Sequence, residues 1–309
     1  MVTIEKATYG EWGQCVRLTN GSIELYATLD FGPRVIRFGY VGGQNLFCED
    51  SKVESSMSGP DMDERYGEGS TWYIRGGHRL WTSPEAAPRS YYPDNEPVAC
   101  EQIENGVRLT PPAQRWNQLQ MELIITMCPD SDNVTVQHRI TNLGAWEVEF
   151  AAWGLTVLAR GGKEIVPQPQ KDTGLLGNRV LALWPYTRMN DERVYWGDKF
   201  ITLRQVPGAA EPIKFGINSE HGYAAYILNG DMFVKRFDVV ENGCYPDGGM
   251  SFETYTNFLM LEMESISELQ KVCPGGTVEH TECWSMYKGM DTPSDCEDEI
   301  AALVDRYIK

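Results

Sequence analysis

The 309-residue chain has no apolar run close to the roughly 18 residues that cross a bilayer as a helix. Its opening, MVTIEKATYGEWGQC, has no apolar core behind a basic start of the kind that directs secretion, so a cytoplasmic protein is expected. Basic side chains are scarce: 27 against 44 acidic ones, a formal charge of −17. A surface of that sign repels nucleic acid and anionic membranes. Eight cysteines form no CxxC pair, which argues against a thiolate zinc site, and most of them are expected to serve as small buried hydrophobes. No GxGxxG stands between a strand and a helix and no Walker loop occurs, so neither a nucleotide fold nor a bound cofactor is expected. Helical periodicity is lacking almost everywhere. The exception is the C-terminal segment, where Ile300, Leu303, Val304 and Tyr307 make one apolar stripe behind a Ser294/Glu297 capping box.

What remains is strand and turn. Asn20-Gly21 and Asn105-Gly106 are hairpin signals between alternating runs. Further strands are expected at 35–40, 119–127, 134–141, 146–159, 200–204, 213–217, 223–228, 232–237, 258–265 and 278–287, with irregular passages at 49–70 and 160–193. Period two places Val134, Val136, His138 and Ile140 on one face, so His138 reads as a core histidine. About fifteen closely spaced strands and one helix mean an all-β sandwich. No shift in composition marks a linker, so residues 1–309 are read as one domain.

Two stretches carry chemistry. Thr71–Val98 gathers His78, Arg75, Arg79, Arg89, Trp72, Trp81, Glu85, Tyr91, Tyr92 and Asp94, with prolines at 84, 88, 93 and 97. The prolines point to a long connection over the sheet, with no strand beyond about Leu80. Ordered loops of this composition are where sites are built. The second stretch is 258–265, where alternation sets Glu262 and Glu264 side by side on one face of an otherwise apolar strand. In a pocket, burial and a like-charged neighbour raise a carboxyl pKa toward neutrality, as acid–base chemistry requires. At a solvated sheet edge, the same two residues would do nothing. Trp81, Trp153, Trp184 and Tyr186 are the aromatic faces that could stack on a pyranose ring.

Several pieces together resemble the galactose-mutarotase-like (aldose 1-epimerase-like) superfamily of large β-sandwiches. Gly32-Pro33-Arg34-Val35-Ile36, followed by Gly43-Gln44-Asn45-Leu46-Phe47, looks like its opening pair of strands. Gly76-Gly77-His78-Arg79-Leu80-Trp81, running on to Pro84-Glu85, resembles the histidine loop of one branch. Leu261-Glu262 resembles the strand with the catalytic glutamate, and Pro274–Thr281 the entry to the closing strand. The resemblance implies a supersandwich fold and a site in which His78 is acid or polarising donor and Glu262, or Glu264, is base. It also implies Arg34 and Arg79 as donors, Trp81 and Trp153 as platforms, and Glu85 and Asp198 as further contacts. The sequence departs from the pattern at Ala151-Ala152-Trp153-Gly154-Leu155, where a second histidine would stand. The implied activity is interconversion of sugar anomers by ring opening, without metal or cofactor. The arginines also admit an acidic sugar. The other readings are a non-catalytic carbohydrate-binding protein on the same fold, a lyase-related protein, and an interaction protein.

Overall fold

The computed structural model describes residues 1–308. Each Asn-Gly pair turns a hairpin: Gln14–Thr19 pairs with Ile23–Thr28, and Ala99–Ile103 with Gly106–Thr110. Gly21 and Asn105 take the positive φ that such tight turns require, 94° and 51°. Repeated pairing builds an 11-stranded and a 10-stranded antiparallel sheet. In the larger one, Val35–Tyr40 is followed across the sheet by Gly77–Ser83, Val148–Leu158, Leu261–Ile266, Phe252–Thr256 and Ile213–Ile217. In the smaller, Asp231–Phe237, Thr277–Lys288 and Asn133–Asn142 lie side by side. The facing sides enclose the main apolar core. At its centre Phe38, Phe47, Phe233 and Trp284 meet at tilted and edge-on angles, their rings 5.4 to 5.9 Å apart. No helix among the described residues is long and apolar enough to cross a membrane.

The sequence expectations need correcting at several points. Gly77–Ser83 is not loop but a fully buried strand between Val35–Tyr40 and Val148–Leu158. Proline ends it only where Pro84 withdraws a ladder donor, so the strand uses every residue available before that point. The passage 160–193 contains the strands Lys163–Pro167 and Leu181–Leu183, and Phe252–Thr256 is a strand absent from the sequence reading. The 258–265 strand begins late, at Leu261, because Asn257 Oδ1 accepts from the Leu259 and Met260 N–H groups and turns the chain there. Two short helices, Pro60–Tyr66 and Pro246–Gly249, join the C-terminal Glu297–Tyr307. In that last helix Ser294 bonds Glu299 rather than Glu297, whose carboxylate instead accepts from the Lys199 and Phe200 N–H groups. Of the cysteines only Cys15 and Cys48 are buried; alternation turns Cys283, for one, to the outer face of its strand.

Candidate functional site

The outer face of the 11-stranded sheet is the floor of a cavity of about 260 Å³. Five adjacent strands each send alternate side chains to it. Arg79 lies opposite Leu155, Leu155 opposite Glu264, and Glu264 opposite Glu253. A second row runs from Val157 through Glu262 and Tyr255 to Lys214. The walls come from outside this sheet: Ser55, Trp72 (in a two-residue strand paired with Ser56–Met57) and Ile74 on one side, Glu85 and Tyr91 from the proline-rich loop, and Tyr186. Trp72, Trp81 and Tyr91 pack against one another with rings 5.1 to 5.2 Å apart, and the Arg79 guanidinium sits 4.3 Å from the Trp81 ring centre.

The charges on this floor are buried and incompletely paired. Glu262 accepts from Arg79 Nη2 at 3.2 Å. Two carboxylates directly opposite each other on neighbouring strands repel. For Glu253 and Glu264 the Lys214 ammonium answers both, at 2.7 and 3.1 Å. Burial pushes Glu264 up to about 7, against the pull of Lys214 and with a contribution from Glu262. Burial likewise pushes Glu253 to about 8, again opposed by Lys214. Burial alone would lower the Lys214 ammonium, but Glu264 and Glu253 outweigh it and hold it above its usual value. One lysine therefore serves two acids, and the pair keeps a proton near neutrality. Arg79 Nε and Nη1, Trp72 Nε1, Trp153 Nε1 and Glu264 Oε1 are buried without any hydrogen-bond partner. A native fold leaves few such atoms, since each costs roughly 1–3 kcal/mol. These five belong to side chains that line one cavity, where a hydroxyl-bearing ligand could satisfy both donors and acceptor.

Of the residues singled out in the sequence, Arg79, Trp81, Glu85, Trp153, Glu262 and Glu264 all line this cavity. Three do not. Asp198 is exposed in the turn closed by the Gly197 N–H to Phe200 C=O bond. Arg34 pairs with Asp94 beside a separate space of about 50 Å³ that it shares with Trp81. His78 is 0 % exposed and points between the two sheets. Its neighbour Arg79 faces the pocket, and adjacent residues in a strand face opposite ways. Lys214, Glu253 and Tyr255 were missed. The signal for them was alternation in Ile213–Ile217 and Phe252–Thr256, but the pairing of Lys214 with both acids is a matter of register.

In the interior His78 joins a second polar cluster. His138 Nδ1 faces the His280 carbonyl at 2.8 Å and must donate to it. Neutral His138 therefore accepts at Nε2, His78 Nε2–H donates to it at 2.7 Å, and His78 Nδ1 accepts from the Thr156 hydroxyl at 2.8 Å. Ser265 donates to Glu282 Oε1, Trp284 Nε1–H to Glu282 Oε2, and His280 Nε2–H to Ser265. Lys235 pairs with Glu282 at 2.9 Å and donates to the Gly154 and Met263 carbonyls. Burial holds all three imidazoles below their ordinary pKa, His280 at about 3. The donor atoms of His78, His138 and Glu282 lie within 4.8 Å of one another, close enough for a metal cage. The lone pairs a cation would need are already spent on hydrogen bonds.

No protein-family model matches the sequence, and no curated protein matches it. Solved structures do. A candidate aldose 1-epimerase from Klebsiella pneumoniae superposes over 99 % of this chain and 86 % of its own, with a TM-score of 0.59 and 12 % identity. A candidate aldose 1-epimerase from Escherichia coli covers 93 % of this chain and 100 % of its own, at 0.53 and 11 %. A galactose mutarotase-like protein from Lactobacillus casei covers 88 % and 100 %, at 0.54 and 8 %. The chain has the galactose mutarotase-like β-sandwich fold. At such identities the likeness is one of fold, and the chemistry has to be argued from the site.

Proposed function

We propose that the outer pocket binds a sugar ring and exchanges its anomers by acid–base ring opening. The observation that carries this reading is the pair Glu262 and Glu264 on one face. Glu262 is held by Arg79, while Glu264, which also lines the cavity, is pushed up to about 7 by burial and has no hydrogen-bond partner at Oε1. Glu262 takes the proton of the anomeric hydroxyl as Glu264 gives one to the ring oxygen, and the C1–O5 bond breaks. Rotation about C1–C2 and the reverse transfers close the other anomer, so both carboxyl groups end as they began. The free Arg79 N–H groups steady charge building on the anomeric oxygen, and Trp81 and Trp153 offer faces to the ring. His78 has no part in this scheme. Five carboxyl groups around the cleft (Glu85, Asp247, Glu253, Glu262, Glu264) against Arg79 and Lys214 favour a neutral sugar over an acidic one.

Among the described residues no histidine lines the pocket, which favours a second reading, sugar binding without turnover. Exchange NMR between the α and β forms of glucose, galactose and xylose separates the two. The expected outcome is exchange above the buffer rate, reduced about 10²–10⁴-fold by Glu262→Gln and by Glu264→Gln. Binding without acceleration selects the second reading, and the absence of binding removes both.

A further inference from the structure

Beside the pocket, on the Glu253 side of Lys214, lies another cavity of about 330 Å³. The two share Glu85, Tyr91, Trp153 and Lys214, so they are neighbouring chambers of one cleft. The second is bounded by Met57, Ala86, Ala87, Trp184 and Asp247, with Glu253 also lining it. The Lys214 ammonium stands where the chambers meet, 4.9 Å from the Trp153 ring centre and 4.6 Å from that of Trp184. Each chamber thus has an indole beside the same cation. Glu253 is 1 % exposed, and its Oε1 has no hydrogen-bond partner. A buried acceptor left open, next to a half-buried indole, is what a ring with hydroxyls on its edge and C–H groups on its face would complete. The first chamber alone falls just short of the roughly 300–1,000 Å³ typical of small-molecule sites, and the two together fall within it. Glu85, Asp247 and Glu253 around the second chamber disfavour a phosphate or carboxylate there.

We infer that the cleft takes two linked sugar rings, the reacting ring over Glu262 and Glu264 and its glycosidic neighbour in the Trp184 chamber. The ligand class is then a neutral di- or oligosaccharide with a free reducing end. This rests on the sugar-site reading above. The reaction that supplies such a ligand is a glycan cleavage that releases one anomer. The step that consumes it is one that accepts the other.

Calorimetry tests the inference with pairs that share a reducing-end ring: glucose against maltose, cellobiose and lactose, and xylose against xylobiose. For at least one pair the disaccharide is expected to bind about tenfold more tightly. Trp184→Ala and Ala87→Trp, one removing the wall and one filling the chamber from an exposed loop position, are each expected to bring that ratio close to one. Comparable affinities within every pair, with ratios unmoved in both variants, overturn the second chamber and leave the sugar site standing. Failure of every mono- and disaccharide to bind overturns both.

Discussion

The strands Gly77–Ser83, Val148–Leu158 and Leu261–Ile266 carry polar clusters on both faces, built from much the same side chains. Inside, Lys235, Glu282 and three histidines form a closed circuit in which each proton of the chain from Thr156 through His78 and His138 to the His280 carbonyl has a defined place. Outside, Lys214, Glu253, Glu262, Glu264 and Arg79 leave donors and an acceptor unanswered. Burial is similar on the two sides, so burial alone does not tell a structural charge from a functional one. Completeness does. A satisfied network specifies the core, whereas unanswered donors and acceptors at a cavity are groups that a ligand could complete.

The contrast is tested most severely by removing each lysine. Lys235→Met strands Glu282 in the core, and is expected to cost about 3–5 kcal/mol in urea unfolding at pH 7. Lys214→Met leaves acids already near their protonation range, which take up a proton instead, so its cost is expected to be much smaller. Equal losses would erase the distinction. A moderate effect is expected from pH. The histidines are held neutral, so below the unfolded value of about 6.5 the unfolded chain binds protons the folded one refuses, and stability falls as pH drops. Glu264 and Glu253 act in the opposite sense. Their raised pKa values contribute stability that is full below about 4.5 and is lost as pH rises through about 7 and about 8. Urea midpoints from pH 4 to 9 should show both limbs, and a Glu253→Gln/Glu264→Gln double variant should lose only the alkaline one. If Glu264 is the acid, anomer exchange also falls as pH rises through about 7. The smallest effect is expected at Asp198, exposed and away from both clusters: Asp198→Asn should change stability by less than about 0.5 kcal/mol and leave sugar binding as it was.

Much of the fold was legible because local rules governed it. The two Asn-Gly turns, the period of Val134–Ile140 and the apolar stripe of the last helix each follow from residues close together in sequence. Part of the site was legible for the same reason: alternation alone set Glu262 beside Glu264. The same alternation, applied once more, assigns His78 to the opposite face from Arg79. Reading Gly77–Ser83 as loop, on the strength of prolines that begin only at 84, hid that consequence. The meeting of Lys214 with Glu253 and Glu264 was not legible. It depends on the pairing of three strands up to 50 residues apart, which no local pattern encodes.

Lys235 reaches through the sandwich to hold the carbonyls of Gly154 and Met263. Gly154 sits between Trp153 and Leu155, and Met263 between Glu262 and Glu264. A Cβ at Gly154 would come within 2.4 Å of Glu282 Oε1. The backbone that aims the catalytic candidates is thus anchored from behind. For engineering, that divides the protein into a part to leave alone and a part to vary. Libraries meant to change what the proposed sugar site accepts belong at Tyr91, Tyr186 and Trp184, where side chains hang from connections.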